Sequence, residues 1–389
     1  MSRKTVLVCG SDGYIAHALV LRLLKNGYKV VGIDDLRRRV AVHGIMKSYS
    51  ATKIENCWER QQKFKEIGDF VFYHNSIEKR YDNLKEVFLL HKPDIIVNLA
   101  QQPSAPFSLK SRLLAENTTV GNIIGTLNIL YAMREVCPES SLIQIGSMGE
   151  YNPAVGIDIP EGKFDFEMNG KLIKDAIFPR APGSFYHASK VASTYYLDCA
   201  SKWWGLGITD IMQGVVFGNW TPEIEETGLQ TRLDSDEAFG TVVNRFIIQA
   251  LLGEPLTIYG DGEHRRGFLS LNDSVQCLML AIENEPKYGE YRTWNQLDTT
   301  YSIKEVAQEV AEAAVEFDET NIVEFSYIES PRVEDTSDFY YKPIVEKLKK
   351  LGFKPTRSIK DEALYLFNIL NIDEILSLGA DMIPNIKWK

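Results

Sequence analysis

The chain has few of the residues that mark a secreted or metal-binding protein. Its five cysteines are scattered, form no Cys-x-x-Cys pair and have no histidine at metal-ligand spacing. We therefore expect reduced thiols, a cytoplasmic location and no bound metal. The N-terminus lacks the apolar core of a signal peptide, and no apolar run approaches the roughly 18 residues of a membrane span. We accordingly expect no membrane partner.

Positive charge is also in short supply. The 43 lysine and arginine residues are outnumbered by 53 aspartate and glutamate residues, which gives a formal net charge of −10. An acidic chain without a basic stripe argues against a nucleic-acid partner. With 389 residues and 44% hydrophobic content, the chain is instead long enough for two globular domains with substantial cores.

The chain begins with a buried strand, a glycine-rich turn and a helix. TVLVC at residues 5–9 is apolar, and Gly10-x-x-Gly13-x-x-Ala16 leads into an apolar-periodic helix at residues 15–24. Glycines permit a tight turn and a close backbone approach, so a pyrophosphate can bind the amide groups at the helix N-terminus. This order indicates a dinucleotide site.

A second strand at residues 29–33 ends in two acidic residues, Asp34 and Asp35. Carboxylates at this place accept hydrogen bonds from an adenosine ribose and repel a 2′-phosphate, so we predict NAD rather than NADP. Arg37 and the two arginines that follow it are the opposite signal, because arginine can bind that phosphate. An ordinary βαβ unit with glycine turns is the remaining alternative.

Strand and helix patterns then alternate as far as residue 145. They predict an α/β fold, a doubly wound parallel Rossmann sheet with a smaller, interleaved C-terminal substrate domain. We predict that residues 1–215 form the NAD-binding domain and residues 216–389 the second domain, with the chain partly returning to the first near 245–285. Ligands bind at the carboxyl ends of such strands. The segments that start there are AQQPSAPFS (100–108), GSMGEY (146–151) and QGVVFGN (213–219).

Two stretches interrupt this alternation. Residues 40–68 contain the polar, helix-compatible run KIENCWERQQKFKEI, which either covers the edge of the sheet or contributes to an oligomer. Between residues 152 and 184, FDFEMNGKLIKD is centred on Asn169-Gly170, which is typical of a β-hairpin. The hairpin is either a lid over the site or a structural flap.

SFYHASK at residues 184–190 is the first candidate for catalysis. On a helix, Tyr186 and Lys190 share one face, and the ammonium group would lower the pKa of the phenol. Such a tyrosine can take a proton from a hydroxyl group. The alternative is that the spacing arises by chance on an amphipathic helix.

Together these motifs resemble the extended short-chain dehydrogenase/reductases that act on nucleotide sugars. The resemblance is closest to the UDP-sulfoquinovose synthases, and it covers nearly the whole chain. It is carried by AQQPSAPFS, IGSMGEY, SFYHASK, MQGVVFG, RLDSDEAFGTVVNRF, the RRGFL loop, and PRVED followed by YY. It implies UDP-glucose and sulfite, or a sulfite donor, as substrates and recycled NAD as cofactor. We also expect a homo-oligomer, either a dimer or a tetramer.

The resemblance implies roles for three residues. Tyr186 would remove the proton of the sugar 4-hydroxyl while NAD takes the C4 hydride, Lys190 would lower the tyrosine pKa and hold the nicotinamide ribose, and Ser147 would share the proton. Water would then be lost from C5 and C6, sulfite would add at C6, and the hydride would return to C4. No net redox change would occur.

One departure concerns this elimination. Related 4,6-dehydratases carry an Asp-Glu pair directly after the serine position, whereas this chain has Met148 and Gly149, which cannot transfer protons. Glu150 and His187 are the candidates to replace them as catalytic groups. The alternatives are a solvated loop carboxylate for Glu150 and a histidine that merely packs beside the tyrosine.

The remaining assignments concern ligand binding. We assign cofactor binding to Gly10, Asp12, Gly13, Tyr14, Ile15, Asp34, Asp35, Arg37, Ile77, Leu99, Ala100, Gln101, Asn117, Tyr186, Lys190, Gln213 and Val216. We assign substrate binding to Gln102, Ser104, Met148, Gln213, Arg232, Thr241, Asn244, Arg245, Thr257, Tyr259, Arg266 and Arg332. By resemblance, Arg266 and Arg332 would bind the diphosphate, and Tyr259 or Thr257 the uridine. Gln102, Ser104 and His187 are candidates for a sulfite pocket.

Two other functions remain open. One is a UDP-hexose 4-epimerase or related nucleotide-sugar enzyme, which shares the steps as far as the 4-ketone. The other is a catalytically silent NAD-binding regulator. The intact set of Ser147, Tyr186 and Lys190 argues against the regulator, and Met148-Gly149 together with RLDSDEAFGT favours the synthase over the epimerase.

Overall fold

The computed structural model describes residues 4–46, 49–151, 156–330 and 341–378. The strands are β1 (Thr5–Cys9), β2 (Lys29–Asp34), β3 (Phe70–His74), β4 (Ile95–Asn98), β5 (Ser141–Ile145), β6 (Lys163–Met168), β7 (Lys171–Ile177), β8 (Gly207–Gln213), β9 (Val215–Phe217), β10 (Leu256–Tyr259), β11 (Arg265–Ser270), β12 (Tyr291–Gln296), β13 (Thr299–Ser302) and β14 (Phe325–Ile328). The α-helices are α1 (Tyr14–Lys25), α2 (Arg37–Val40), α3 (Cys57–Ile67), α4 (Tyr81–His91), α5 (Ala105–Leu109), α6 (Arg112–Val136), α7 (Phe185–Trp204), α8 (Pro222–Thr227), α9 (Val242–Leu251), α10 (Leu271–Glu283), α11 (Ile303–Phe317), α12 (Lys347–Lys350), α13 (Ile359–Ile369) and α14 (Ile372–Ser377).

A seven-stranded parallel sheet forms the centre of the molecule, in the order β12-β8-β5-β4-β1-β2-β3. Strand β1 is buried on both faces because its side chains alternate between two cores. Val6 and Val8 pack into the core formed with α1 and α10, whereas Leu7 and Cys9 pack into the core formed with α4, α6 and α7. The predicted doubly wound α/β fold is confirmed.

A smaller region follows β8 and has its own core. Strands β13, β11 and β9 form one sheet, β10 pairs with β14, and helices α9, α11 and α13 pack around them. We predicted that the chain returns near residues 245–285. In the structure α9 and β10 belong to the second core. The chain returns to the first domain at α10, which packs on α1, and then at β12, which joins the large sheet.

The two insertions adopt defined structures. Helix α3 packs against α1 and the edge strand β3, where Phe64 meets Phe70 edge-on at 5.0 Å between ring centroids. It therefore covers the edge of the sheet. The predicted hairpin forms as β6 and β7, and both turn residues, Asn169 and Gly170, have positive φ angles of 54° and 70°, as a tight hairpin turn requires.

Helix α6 begins at Arg112, because the Ser111 hydroxyl caps it by accepting the Leu114 N–H. The polar segment 221–240 contains the short helix α8. All five cysteines are free thiols in the structure. Among the described residues, no helix combines the length and apolar character needed to cross a bilayer.

Candidate active site

A cavity of about 550 Å³ lies at the carboxyl ends of β1, β2, β4, β5 and β8. Its opposite wall comes from the smaller region, through residues 232–245 and 259–268, and from Tyr341. Parallel α/β sheets bind ligands at this edge, so the cavity is the candidate site.

The glycine-rich turn forms one end of the cavity. Gly10 has a φ angle of +81°, and a Cβ atom there would lie 2.7 Å from the backbone nitrogen of Ala100. Only glycine fits this crossing of the turn over the end of β4. Gly13 precedes α1, so the N-terminus of that helix opens into the cavity and can receive a pyrophosphate.

Asp34 lies at the carboxyl end of β2 and lines the cavity. Its carboxylate accepts the backbone N–H groups of Asp12 at 2.9 Å and Leu36 at 2.7 Å. Burial raises the pKa of Asp34 to about 7, and the neighbouring Asp12 charge acts in the same direction. Hydrogen bonds from ribose hydroxyls would stabilise its ionised form.

Each of the three consecutive arginines has a carboxylate partner. Arg37 contacts Asp35 at 2.8 Å and Glu78 at 2.5 Å. Arg38 pairs with Asp234 at 2.8 Å, and Arg39 pairs with the Asp12 carboxylate at 2.6 Å. These pairs disfavour a 2′-phosphate site, because binding a phosphate would require the arginines to leave their present partners.

Helix α7 brings Tyr186 and Lys190 into the cavity, one turn apart and both buried. Ser147, which follows β5, forms a side-chain hydrogen bond with Tyr186. The Lys190 ammonium lies 5.7 Å from the centroid of the Tyr186 ring and donates to the Ile145 carbonyl at 2.6 Å and to the Gln101 side chain. The structure therefore brings the predicted serine, tyrosine and lysine together.

Burial dominates the protonation of this group. It raises the pKa of Tyr186 well above its ordinary value, although the Ser147 hydrogen bond acts to lower it. Burial also lowers the pKa of Lys190 to about 8, against the opposing effect of two nearby carboxylates. In this arrangement burial sets the direction of the Tyr186 pKa, and the lowering that we predicted from Lys190 is not among the effects that act on it.

The residues that line the cavity do not include Glu150, which we predicted as a catalytic proton carrier. A short 3₁₀ turn after β5 buries Glu150 fully. Its carboxylate accepts the backbone N–H of Ser147 at 2.9 Å and the Thr194 hydroxyl at 3.2 Å, and it lies 3.5 Å from Arg180. Glu150 therefore stabilises the turn that carries Ser147.

His187 lines the cavity beside Tyr186, with 4.8 Å between the ring centroids. Its Nδ1 atom lies 3.1 Å from the Ser184 hydroxyl. A Cβ atom added to Gly149 would be 2.2 Å from its Nε2 atom. The imidazole therefore occupies the space that a side chain at position 149 would need, and so places a titratable ring at one of the two positions where related dehydratases carry the Asp-Glu pair.

Hydrogen bonds from helix α6 and within the segment fix the backbone of residues 100–108. The Asn122 side chain accepts the Gln102 N–H at 2.8 Å and donates to the Gln102 carbonyl and to Ser189. The Gln102 amide donates to the Ser104 carbonyl at 2.9 Å, and the Ser104 hydroxyl donates to the Ala238 carbonyl. Gln102 and Ser104 line the cavity, but these polar groups are already used within the wall.

The nucleotide-sugar end of the cavity carries cationic and aromatic groups. Arg245 donates to the Tyr259 hydroxyl at 2.8 Å and lies 4.7 Å from the centroid of that ring. Arg266 also lines the cavity. Buried Arg232 pairs with Asp234 at 3.0 Å. These groups can bind an anion and stack against a planar ring.

Most of the predicted ligand-binding residues line this cavity. On the cofactor side these are Gly10, Gly13, Tyr14, Ile15, Asp34, Asp35, Arg37, Ile77, Leu99, Ala100, Gln101, Tyr186, Lys190, Gln213 and Val216. On the substrate side they are Gln102, Ser104, Met148, Gln213, Arg232, Thr241, Asn244, Arg245, Tyr259 and Arg266. Arg332 lies outside the described residues.

Three of the predicted ligand-binding residues do not line the cavity. The Asp12 carboxylate is turned back to Arg39 and to buried Arg60. Asn117 is exposed on α6, whereas Asn122 of the same helix reaches the cavity. The Thr257 hydroxyl accepts a hydrogen bond from Gln249. Within the described ranges, no three His, Cys, Asp or Glu side chains are grouped so that they could hold a metal ion.

Sequence reasoning gave no binding or positioning role to Asn122 or Arg180. An asparagine at a buried position of a long helix was the available signal for Asn122. Arg180 gave no signal, because only the fold brings it from the end of the hairpin insertion to Glu150.

Comparison with known proteins agrees with this geometry. The family model described as the NAD dependent epimerase/dehydratase family matches residues 6–295. A UDP-sulfoquinovose synthase of Sulfolobus acidocaldarius is 41% identical over 99% of this chain and 97% of that protein. The chloroplastic UDP-sulfoquinovose synthase of Spinacia oleracea is 37% identical over the whole of this chain and 80% of that protein.

Solved structures share the fold at lower identity. The UDP-glucose 4-epimerase of Thermotoga maritima, solved with UDP-glucose, superposes with a TM-score of 0.69 at 22% identity, over 96% of this chain and 99% of that one. The Thermus thermophilus UDP-glucose 4-epimerase, solved with NAD, has a TM-score of 0.65 at 22% identity, over 94% and 98% of the two chains. From the family match and the near-complete alignment with its relatives, the chain belongs to the NAD-dependent epimerase/dehydratase family.

Proposed function

We propose that the chain converts UDP-glucose and sulfite into UDP-sulfoquinovose with bound NAD. The geometric observation that carries the proposal is His187, which fills the space over Gly149 beside the Ser147–Tyr186 pair. A titratable group there can serve the elimination that Met148 and Gly149 cannot. The two synthases at 41% and 37% identity support the same function.

The residues at the other end of the cavity fit NAD. Gly10 and Gly13 leave room for a pyrophosphate over the N-terminus of α1, and Asp34 can accept ribose hydroxyls. The carboxylate partners of the three arginines favour NAD over NADP. When bound, NAD supplies a hydride acceptor and donor for sugar C4. Lys190 is the group that would bind the nicotinamide ribose.

The side chains divide the proton transfers. Tyr186, hydrogen-bonded to Ser147, takes the proton of the 4-hydroxyl as C4 becomes a ketone, and later returns it to the 4-oxygen. The ketone acidifies the C5–H bond. His187 takes the C5 proton and gives a proton to the departing 6-hydroxyl, so that water leaves and a C5=C6 double bond forms.

Sulfite then completes the chemistry. The sulfur lone pair attacks C6, a C–S bond forms, and the electron pair of the double bond takes a proton at C5. His187, which lines the cavity beside Tyr186, is our candidate to supply that proton. The Gln102 amide and the Ser104 hydroxyl already donate hydrogen bonds to backbone carbonyls of the cavity wall. These residues therefore define the shape of the sulfite pocket more than they bind the charge of sulfite.

The UDP moiety is assigned to the opposite wall. Its diphosphate is an anion, which arginine side chains can bind. Arg245 and Arg266 line that wall, whereas Arg38 and Arg232 pair with Asp234. Tyr259 offers the uracil ring an aromatic surface.

Incubation with UDP-glucose and NAD, with and without sulfite, tests the proposal. Mass spectrometry should detect a sulfonated nucleotide sugar only when sulfite is present. In its absence, deuterium from solvent should enter C5, and His187→Ala should stop that exchange. Sulfite-independent formation of UDP-galactose without sulfonated product would instead assign the chain as a 4-epimerase.

We also propose that the chain forms a homodimer through α6 and α7. Exposed apolar residues on α6 recur at intervals that keep them on one helix face, namely Leu113, Val120, Ile124 and Tyr131. On α7, exposed Tyr196 and Trp203 are seven residues apart, which also places them on one face. Helices α6 and α7 pack against each other, so the two stripes support one continuous interface.

A further inference from the structure

A group of buried charges lies directly behind the site. Glu150 and Asp210 are fully buried, and the Arg180 side chain is 5% exposed. A Cβ atom on Gly146 would lie 3.0 Å from a carboxylate oxygen of each acid, so the two carboxylates face the same point of the backbone. With the Lys190 ammonium, two buried cations balance two buried anions.

The two acids are connected to the catalytic residues by hydrogen bonds. Glu150 accepts the backbone N–H of Ser147 at 2.9 Å through one oxygen. The Thr194 hydroxyl, one turn beyond Lys190 on α7, lies 2.8 Å from a carboxylate oxygen of Asp210 and 3.2 Å from the other oxygen of Glu150, so the two acids share its one proton. The orientation of Ser147 and the position of α7 thus depend on the same pair of carboxylates.

Arg180 reaches this pair from the end of the hairpin insertion. It follows β7 and pairs with Tyr151 in an isolated β-bridge, and the next residue, Ala181, donates its N–H to the Glu150 carbonyl at 3.2 Å. Its guanidinium lies 4.2 Å from the centroid of the Tyr151 ring. At the start of the hairpin, Lys163 is bound to α7 through Asp198 at 2.6 Å.

We infer that Arg180 is a positioning residue that holds the Glu150–Asp210 pair, and through it sets the orientation of Ser147 and the charge of Lys190. The inference concerns the serine–tyrosine–lysine group of the proposed function and rests on that assignment. Removing one member of a buried charge group leaves its partner uncompensated, so the effect must reach the neighbouring titrating groups.

The direction of each effect follows from the surrounding charges. The groups that face the Glu150–Asp210 pair are Arg180 after β7, Lys190 and Thr194 on α7, Tyr151 after β5, and Tyr291 on β12. Burial raises the pKa of Glu150 to about 7, and Arg180 opposes this. Burial lowers the pKa of Lys190 to about 8, and Glu150 and Asp210 oppose it. Glu150 also raises the pKa of Tyr186.

Two substitutions should therefore move the pH profile in the same direction. Glu150→Gln removes a negative charge, so Lys190 and Tyr186 should both lose their protons at lower pH, and the profile should shift down by roughly one pH unit. Arg180→Met removes the cation that keeps Glu150 ionised, so Glu150 should hold its proton, Lys190 should lose the same neighbouring charge, and the profile should also shift down. Arg180→Lys keeps the charge and should restore the wild-type profile.

The readout is UDP-glucose-dependent reduction of bound NAD in a single turnover, followed by the absorbance of reduced nicotinamide across pH. Glu362→Gln is a matched control, because Glu362 is a fully buried carboxylate paired with Arg357 and does not line the cavity. It should lower stability without shifting the profile. If Glu150→Gln does not fold, Asp210→Asn should give the same downward shift.

Coincident profiles for wild type, Glu150→Gln and Arg180→Met, or an upward shift in either variant, would overturn the inference. The reduction of NAD by UDP-glucose does not require sulfite, so this result is independent of the sulfonation step of the proposed function. A wild-type chain that reduces NAD but forms no sulfonated product would refute the synthase assignment while leaving the charge group tested.

Discussion

Gly149 matters because of the side chain that it lacks. A Cβ atom at this position would lie 2.2 Å from the Nε2 atom of His187. Its φ angle is not in the left-handed region, so the requirement for glycine comes from the imidazole and not from backbone strain. The absence of a side chain at position 149 therefore determines where the His187 imidazole can lie.

We expect Gly149→Ala to displace His187 and slow the elimination by roughly 10²- to 10⁴-fold, the usual contribution of a positioned general acid or base. Hydride transfer from UDP-glucose to NAD should persist, because Ser147, Tyr186 and Lys190 are not displaced. Deuterium exchange at C5 measures the elimination, and the reduction of NAD measures hydride transfer.

His187→Ala is the matched comparison for this prediction. If the two residues act through one contact, the double variant should be no slower than either single variant, since coupled residues are not additive. A full exchange rate in Gly149→Ala would show that the imidazole does not carry the C5 proton.

Tyr186, Lys190 and Ser147 could be found from the sequence because their spacing on a helix and after a strand is local information. Glu150 could not be placed, since its direction depends on a single 3₁₀ turn in which Ser147 and Glu150 cap each other. Asn117 was assigned to the cofactor although it is exposed, because only the phase of the long helix α6 shows which of its asparagines faces inward.

At the scale of elements, helix α3 does more than cover the sheet edge. Its buried Arg60 donates to the Asp12 carboxylate at 3.0 Å and to the Asp12 carbonyl at 3.3 Å. The other nitrogen of the guanidinium donates to the Gln230 carbonyl at 3.2 Å. The insertion therefore joins the glycine-rich turn to the loop that leads to the opposite cavity wall.

Arg60→Met should weaken NAD binding and lower the free energy of unfolding by about 1–3 kcal/mol, because buried acceptors lose their donor while Asp12 keeps Arg39. Urea denaturation and isothermal titration with NAD measure the two effects. Arg112→Met is the control, since Arg112 is 85% exposed and its ion pair with Glu116 should contribute little. Unchanged NAD affinity in Arg60→Met would mean that α3 only covers the sheet.

Elements with strong local signals were predictable and those without were not. Asn169-Gly170 determined the hairpin, because both positive φ angles fit these residues. Short strands such as β9 and β13 gave no usable pattern, since they are stabilised by pairing with β11, which is distant in the chain. The end of the hairpin at Arg180 had meaning only once the fold placed Glu150 beside it.

At the scale of the whole molecule, the central sheet followed from the alternation of strands and helices, but the path of the chain did not. The return to the sheet through α10 and β12 depends on contacts with α1 and β8. These contacts join segments far apart in the chain, which no local pattern encodes.

The proposed dimer gives a prediction at this scale. Trp203→Glu should convert the dimer to a monomer, because it puts a charge into an apolar stripe where Trp203 is 74% exposed in the single chain. Light scattering after size-exclusion chromatography gives the mass. Trp58→Glu is the control, since Trp58 is 68% exposed but lies on α3. A Trp203→Glu mass equal to that of wild type would exclude this interface.

The hairpin insertion offers a practical opening for protein engineering. Its contacts with the catalytic region are at its ends, through Lys163 and Arg180, whereas the Asn169-Gly170 tip is exposed to solvent. A reporter dye or a short sensor peptide grafted at the tip would extend from the molecule without touching the cavity. The same element that stiffens the site at its base can thus carry a probe at its far end.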